Sequence, residues 1–333
     1  MELSILIVNW NSKEFLRKCV ASILRETHGL EFEIIVVDAA SFDGCAEMLE
    51  KEYPAVHFIQ ARENSGFARL NNLAFEASGG ETLLFLNPDT ELTGPAINLM
   101  HSAIKGLPCA GAVGGRLLNF DGTVQTSCIQ AFPTILNQTL SSEALGRMFP
   151  RSRLWGRKAL FDNSGKPQEV EMISGACLMM RRAVFEAVGR FSTEYFMYAD
   201  DVDLCYKAKQ HGFINYYVGE GVVIHHGGAS SQQAGKNFSN LAAVHSMSQF
   251  LRKSRGVAYS NVYRLLQCLA AILRLLLLLI LSPYWLIRTG APRWRDSCSK
   301  WFAILNWGLG LSGGRESAVP SRKMPPADQV TLS

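Results

Sequence analysis

Residues 3–8 have the sequence LSILIV and residues 32–37 have the sequence FEIIVV; the fold prediction starts from these two short apolar runs. Both are rich in β-branched residues, which is typical of buried strands. Between them, apolar residues recur at helical spacing, at Phe15, Leu16, Cys19, Val20, Ile23 and Leu24. The N-terminal segment therefore predicts a strand, an amphipathic helix and a second strand.

The same alternation continues along the chain. Helices are predicted over residues 45–53, 67–77, 183–188 and 200–210, and strands over residues 57–60, 82–86, 171–180 and 222–225. Residues 106–167 are rich in Gly, Pro and Ser, and we expect loops, short strands and one helix near Leu140 there. Parallel strands need crossover helices, so the pattern predicts an α/β fold with a central, mostly parallel sheet flanked by helices. Ligands bind such sheets at the carboxyl ends of the strands.

Composition and charge exclude some classes of protein. Of the 333 residues, 48% are hydrophobic and 19% are charged, which excludes disorder as the main state. The net charge of +4 is unevenly spread, because residues 252–323 hold twelve Lys and Arg but only Asp296 and Glu316 as acids. A basic C-terminal part predicts an anionic partner, either a lipid surface or nucleic acid.

The cysteines and the N-terminus bear on the compartment. The eight cysteines include no CxxC pair and no pairing with His at zinc spacing, which favours a reduced, cytosolic protein. The N-terminus lacks a basic region and a cleavage site, so we do not expect a secretory signal.

The C-terminal part is also strongly apolar. Residues 261–287 are dominated by Leu and Ile, and Arg264, Gln267 and Arg274 fall on one narrow stripe of a helix. This favours a helix lying in the membrane interface, with a spanning helix or re-entrant hairpin, or a helix packed on the body or on a second subunit, as alternatives. The sequence from residue 285 to 307 interleaves aromatic and basic side chains of the types found at the level of the lipid headgroups: Trp285, Arg288, Arg293, Trp294, Arg295, Lys300, Trp301 and Trp307. A run such as LLLLLIL disfavours a nucleic-acid-binding arm.

Four groups of residues are candidates for chemistry. Asp38 ends the second strand, and Asp89 follows a buried strand within Asn-Pro-Asp-Thr. Asp201 lies in the cluster DDVD at a helix start, and His225 precedes a second histidine. Crowded carboxylates suit a general base, and Asp and His suit a divalent cation. Each group also has an ordinary structural explanation in capping, turns or packing. The sequence has no GxGxxG and no GxxxxGK[ST] motif, so dinucleotide and P-loop sites are disfavoured.

Seven motifs in chain order make the chain resemble the family 2 glycosyltransferases of the GT-A fold, and most closely the bacterial branch that contains rhamnosyltransferases. The resemblance covers residues 3 to about 231. It rests on VNWNS at 8–12, VVDAASFDG at 36–44, ENSGFARLNN at 63–72, LNPDT at 86–90, SGACL at 174–178, YADDVDLC at 198–205 and IHHGGASS at 224–231.

The resemblance over residues 3 to about 231 and the composition of the C-terminal part together predict a division of the chain. Residues 1–235 would form the GT-A domain, with a nucleotide-binding half at 1–100 and an acceptor half at 101–235. Residues 236–313 would form a helical membrane-associating region, and residues 314–333 a disordered tail.

The resemblance also implies roles for residues at the site. The nucleotide sugar would be held by Val8, Trp10, Asp38, Asn71 and Asp89. Asp89, the remaining acid of a degenerate DxD motif, and His225 would bind Mg²⁺ or Mn²⁺, and Asp201 would be the catalytic base. The chain departs from the family pattern at Ala39, Leu70 and Asp200, where Asn, Gly and Glu are usual.

The function implied is an inverting, metal-dependent transfer of rhamnose from dTDP-rhamnose to a lipid-linked or growing cell-surface polysaccharide. Its place would be the cytoplasmic face of the bacterial inner membrane, with peripheral or monotopic attachment. The departures at Ala39 and Leu70 leave a catalytically silent module that binds a sugar nucleotide or glycan as an alternative. The sequence leaves the acceptor, the linkage, the metal and the oligomeric state open.

Overall fold

The computed structural model describes residues 1–139, 165–227, 237–283 and 291–311. Its strands are β1 Leu3–Asn9, β2 Phe32–Asp38, β3 His57–Gln60, β4 Thr82–Leu86, β5 Thr90–Leu92, β6 Ala110–Leu118, β7 Ile129–Gln130, β8 Gln168–Val170, β9 Met172–Ile173, β10 Cys177–Arg181 and β11 Ile214–His225. Its helices are α1 Lys13–Glu26, α2 Cys45–Glu52, α3 Phe67–Glu76, α4 Ala96–Gly106, α5 Ile135–Thr139, α6 Arg182–Ala187, α7 Asp200–Gln210, α8 Phe238–Arg255, α9 Val257–Ile280 and α10 Ala291–Gly308.

The strands form a central sheet in the order β3-β2-β1-β4-β10-β6-β11-β5, with β8 paired to β11. The first four strands of this order are parallel, whereas β10 is antiparallel to both of its neighbours. Strand β4 is buried along its whole length, and β1 along nearly all of it. This confirms the predicted α/β fold, with a central, mostly parallel sheet and flanking helices.

The strand directions bring distant segments to one edge of the sheet. The parallel strands β1, β2 and β4 end there, and Asn9 at the end of β1 lies opposite Asp38 at the end of β2. Strand β10 is antiparallel, so it begins at this edge, and the backbone N–H of Asn87 donates to the carbonyl of Ala176 (3.0 Å) just before β10. Strand β11 ends at the same edge, where His225 lies opposite Thr90 of β5.

Several segments differ from the sequence prediction. The predicted strand over residues 171–180 is two strands, β9 and β10, with a turn between them. Residues 110–118 lie in the section where loops and short strands were expected, and they form the nine-residue strand β6. Its glycines serve close packing, because a Cβ on Gly114 would lie 2.2 Å from Ile173 Cγ2. A short helix, α5, ends beside Leu140 as expected, while Leu140 itself and residues 314–333 lie outside the described residues.

The helices α8, α9 and α10 pack on one another, and α9 also packs on α5. Within the described part of the chain, α9 is long and apolar enough, by length and composition, to cross a membrane. Its polar stripe faces the protein, since Gln267 is buried and Arg264 donates to the carbonyls of Trp307 and Gly308 (3.3 Å each). Its opposite face is apolar and exposed, at Leu265, Leu269, Ile272, Leu273, Leu276, Leu277, Leu279 and Ile280. The helix is therefore polar toward the protein and apolar toward the outside.

One buried carboxylate fastens α7 to α8. Asp203 is 2% exposed in its side chain and lies 3.6 Å from Lys207 Nζ and 3.1 Å from Lys253 Nζ. The hydroxyls of Ser192 and Tyr195 also donate to this carboxylate.

We expect Asp203→Ala to lower the free energy of unfolding by about 3–5 kcal/mol, because it leaves Lys207 buried without its counter-charge. Lys253→Ala is the control, and it should cost about 1 kcal/mol or less because that lysine is much more exposed. Urea unfolding followed by circular dichroism measures both, and equal losses in the two variants would contradict this explanation.

Candidate active site

A cavity of about 790 Å³ lies at the carboxyl edge of the sheet. Five of the predicted site residues line it together: Val8, Trp10, Asp89, Asp201 and His225. They come from the end of β1, the turn after β4, the first turn of α7 and the end of β11. The cavity therefore unites segments that are far apart in the sequence, as the topology of an α/β sheet predicts.

Asp89 and His225 lie side by side in this cavity. Asp89 Oδ1 is 3.3 Å from His225 Nε2, and Asn87 Nδ2 is also 3.3 Å from that nitrogen. The side chains of Asp89 and His225 are 8% and 15% exposed. Two ligand atoms on one Mg²⁺ at about 2.1 Å each would be about 3 Å apart in octahedral geometry. The spacing of the carboxylate and the imidazole therefore fits a shared divalent cation.

Gln125 orients the imidazole of His225. Its amide Nε2 donates to the backbone carbonyl of His225 (2.6 Å), which turns its Oε1 toward the ring, 2.9 Å from Nδ1. With the amide in this orientation, the neutral ring carries its proton on Nδ1, and this N–H donates to Gln125 Oε1. Nε2 is then the unprotonated nitrogen: it accepts from Asn87 Nδ2 (3.3 Å) and lies 3.3 Å from Asp89 Oδ1, and a metal ion bound there would replace the hydrogen bond from Asn87.

Asp200 and Asp201 occupy the first turn of α7. Asp201 Oδ2 accepts the N–H of Gly175 and its Oδ1 accepts the N–H of Val202, both at 2.8 Å. Burial raises the pKa of the Asp201 carboxyl above its usual value. Burial and the charge of Asp201 raise the pKa of Asp200 to about 8. This pair of carboxylates can accept a proton near neutral pH, as a general base must.

The backbone that presents these carboxylates is strained. Tyr198 and Ala199 have φ values of +65° and +61°, a left-handed conformation that residues with a side chain rarely adopt. Such strain gathers at functional sites, where the surrounding structure maintains it.

Two predicted site residues are not at the cavity surface. Asp38 is fully buried and accepts hydrogen bonds from Asn9 Nδ2 (2.8 Å), the Ser41 N–H (2.9 Å) and Gln60 Nε2 (2.8 Å). Asn71 is 1% exposed and donates to the carbonyl of Phe67 (3.0 Å). In this structure Asp38 organises the loop after β2, and Asn71 lies inside α3.

Asp38, Asp43 and Cys45 form a second group that could hold a metal, with ligand atoms within 4.8 Å of one another. Both carboxylates already accept hydrogen bonds. The carboxylate of Asp43 accepts from the backbone N–H groups of Lys13 (2.9 Å) and Cys45 (3.1 Å). Burial and the nearby carboxylates raise the pKa of the Cys45 thiol well above its usual range, so it is protonated. A divalent cation at this group would have to displace the hydrogen bonds that Asp38 and Asp43 already accept.

One wall of the cavity was not predicted from the sequence. Tyr263, Gln267 and Arg274 of α9 and Lys300 and Trp301 of α10 line it. The polar stripe of α9 was the available signal. The stripe favoured a helix in the membrane interface, and packing on the body was only an alternative, because a one-dimensional pattern does not say which surface it faces.

The family model for glycosyl transferase family 2 matches residues 4–189 of this chain. The chain belongs to glycosyl transferase family 2. Its fold is that of the GT-A glycosyltransferases, and it is a transferase.

Individual proteins agree with this membership. The chain is 28% identical over 263 residues to the N-acetylglucosaminyl-diphospho-decaprenol L-rhamnosyltransferase of Mycobacterium tuberculosis, covering 75% of this chain and 83% of that protein. It is 26% identical to the low-salt glycan biosynthesis hexosyltransferase Agl10 of Haloferax volcanii, covering 63% and 62%. Among solved structures, the mannosyltransferase PcManGT of Pyrobaculum calidifontis, in complex with GDP-Man and Mn²⁺, has a TM-score of 0.57 at 14% identity and covers 94% of this chain and 88% of that one.

The family resemblance stated from the motifs is thereby confirmed, including its similarity to the rhamnosyltransferase branch. Of the three departures from the family pattern, Ala39 and Leu70 line the cavity beside Val8 and Trp10, and Asp200 lines it beside Asp201. Ala39 and Leu70 are both apolar and almost fully buried.

Proposed function

We propose that this protein is an inverting, metal-dependent glycosyltransferase that moves rhamnose from dTDP-rhamnose to a lipid-linked or growing cell-surface glycan. One observation carries the proposal: Asp89 and His225, a pair suited to a cation, line the same cavity as the carboxylate of Asp201. The similarity to an enzyme named as a decaprenol-linked L-rhamnosyltransferase supports the sugar and the acceptor class.

Asp89 and His225 would hold Mg²⁺ or Mn²⁺, since their ligand atoms are 3.3 Å apart and Gln125 leaves His225 Nε2 unprotonated. A divalent cation held there would supply positive charge to the diphosphate leaving group. The solved neighbour described with GDP-Man and Mn²⁺ agrees with this assignment.

Asp201 would remove the proton of the acceptor hydroxyl. As that oxygen forms a bond to the anomeric carbon, the bond from that carbon to the diphosphate oxygen breaks on the opposite face, and the proton passes to the carboxylate. A single displacement of this kind inverts the configuration. The raised pKa of Asp201 suits this role, because a more basic carboxylate takes a proton more readily.

The proposal is tested with a panel of nucleotide sugars. Purified protein is incubated with Mn²⁺ or Mg²⁺ and with dTDP-rhamnose, UDP-sugars or GDP-sugars, and Tm and donor turnover are measured. We expect stabilisation by dTDP-rhamnose that EDTA abolishes, and slow hydrolysis of that donor without an acceptor. Stabilisation by another donor only would overturn the choice of rhamnose.

A catalytically silent binding module is the second candidate, because Ala39 and Leu70 replace the usual residues beside the nucleotide side of the cavity. The same panel separates the two. Donor binding without turnover in the presence of any acceptor would favour the silent module, and turnover would eliminate it.

We also propose that the region from residue 236 to 313 attaches the protein to the cytoplasmic face of the inner membrane. The exposed leucines of α9 support this, because a soluble surface rarely leaves so long an apolar face uncovered. Arg252, Arg255, Arg293 and Arg295 are exposed on the neighbouring helices and would be attracted by anionic lipids.

We expect the double variant Leu269→Glu, Leu273→Glu to bind vesicles of mixed neutral and anionic phospholipid at least about 10-fold more weakly than wild type, because each leucine contributes about 1.5–3 kcal/mol when buried. Flotation of the protein with the vesicles measures this. Leu73→Glu is the control, because Leu73 is an exposed leucine of α3. An equal loss in the control would contradict a role for α9.

A further inference from the structure

The charged residues that line the cavity are separated by sign. Asp89, Asp200 and Asp201 lie at the sheet edge and the start of α7. Arg274 and Lys300 lie on the wall formed by the C-terminal helices, and no acidic residue of α8, α9 or α10 lines the cavity among the described residues. The helical wall is therefore suited to an anion, and the sheet edge to a cation.

Arg274 and Lys300 meet on one aromatic ring. The Arg274 guanidinium lies 4.1 Å from the centroid of Trp301, and Lys300 Nζ lies 5.2 Å from it. Arg274 of α9 and Lys300 of α10 thus contact the same indole, and these contacts restrict the orientation of both side chains. Arginine presents a planar set of donors that matches the oxygens of a phosphate, and lysine adds a compact charge.

An apolar surface begins next to this cationic cluster. Leu273, adjacent to Arg274 in the sequence, is 59% exposed, and Leu276 and Leu277 are 50% and 46% exposed on the outward side of α9. The exposed row continues to Ile280 at the end of the helix. A ligand that uses both features has an anionic head in the cavity and a long apolar tail along α9.

We propose that Arg274 and Lys300, held by Trp301, bind the phosphate groups of the acceptor lipid and so select a glycan carried on a prenyl diphosphate. This inference rests on the proposed function, because it names the acceptor chemistry at the same cavity. The sugar next to the diphosphate then lies between the helical wall and Asp201. The donor diphosphate belongs on the opposite side of the cavity, at Asp89 and His225.

The test uses the full-length protein and farnesyl diphosphate as probe, with farnesol as the uncharged comparison, in isothermal titration. We expect Arg274→Gln and Lys300→Gln each to raise the Kd for farnesyl diphosphate about 10–100-fold, as loss of a charge-assisted hydrogen bond implies. Farnesol binding should change little. Arg295→Gln is the matched control, since it removes a cation from the exposed side of α10.

Three results would overturn the inference. The first is an unchanged Kd for farnesyl diphosphate in both variants. The second is an equal loss in Arg295→Gln, which would indicate general attraction to lipid headgroups. The third is a matching loss of dTDP-rhamnose stabilisation, which would assign the two cations to the donor diphosphate.

Folding and the proposed function are checked separately. Arg274→Lys keeps a charge in the same place, so it should retain more affinity for farnesyl diphosphate than Arg274→Gln while having the wild-type Tm. Metal-dependent donor stabilisation should persist in all these variants. If metal-dependent donor stabilisation is absent in the wild type as well, the proposed function fails. If that stabilisation is present but the variants bind farnesyl diphosphate as wild type does, only the acceptor site is refuted.

Discussion

Asp201→Asn is expected to bind the nucleotide sugar as wild type does and to turn over about 10²–10⁴-fold more slowly, which is the usual contribution of a general base. The amide keeps the size of the carboxylate but cannot take the proton of the acceptor hydroxyl. It can still accept the N–H of Gly175, which holds the side chain of Asp201 in place. The measurement is kcat with a lipid-linked acceptor, beside the Tm shift caused by the donor.

Asp121→Asn is the matched control, because Asp121 is an exposed carboxylate in the loop after β6. Its kcat should equal that of wild type. If Asp201→Asn also retained the wild-type rate, Asp201 could not be the base.

The pH profile provides an independent check on the same carboxylate. Burial raises the pKa of Asp201, so the deprotonated fraction, and with it kcat, falls as the pH drops through that raised pKa. Asp200 has a pKa raised to about 8 and is therefore already neutral where Asp201 titrates, so Asp200→Asn should leave the acidic limb near its wild-type position. Asp201→Asn should remove the limb from the residual activity. A limb that persists unchanged in Asp201→Asn would show that another group is responsible for it.

Asp89→Ala is the second variant with a large expected effect. We expect this variant to lose the metal-dependent Tm shift caused by the donor. We also expect its kcat to fall about 10²–10³-fold, which is typical when charge stabilisation of a leaving group is removed. Differential scanning fluorimetry with a Mn²⁺ titration measures the first effect, and donor turnover the second.

Glu91→Ala is the control, since Glu91 is a nearby carboxylate paired with His226 (2.9 Å). It should retain the metal response. Asp43→Ala distinguishes the two candidate metal groups: if that variant loses the metal response while Asp89→Ala keeps it, the cation is held by Asp38, Asp43 and Cys45 instead.

Much of the N-terminal half was predictable because its signals are local. The strands β1, β2 and β4 and the helices α1 and α3 follow from apolar runs and helical spacing that sequence neighbours create. Strand β6 was expected only as part of a section of loops and short strands, for a physical reason: Gly114 and Gly115 are typical of loops, yet here each makes room for a neighbouring segment. A Cβ on Gly115 would lie 2.2 Å from the carbonyl oxygen of Gly221, a contact that no local pattern reveals.

The site was predictable in part. The motifs containing Asp89, Asp201 and His225 could be found without coordinates, because they follow strand ends or begin a helix. Their surroundings could not be found in this way, since the hydrogen bond from His225 Nδ1 to Gln125 joins residues 100 positions apart. The burial of Asp38, which removes it from the cavity surface, also depends on partners from two other strands.

The order of apolar runs and turns along the chain was enough to establish the α/β class and the polar stripe of α9, because periodicity is a property of neighbouring residues. The family resemblance came from the seven motifs. The order of residues along the chain does not say which surface the polar stripe of α9 faces. Packing of α9 against α8 and α10 turns Arg274 toward the cavity and the leucines outward. Contacts between residues distant in the chain arise only when the helices and sheet assemble, and those contacts join the C-terminal helices to the site.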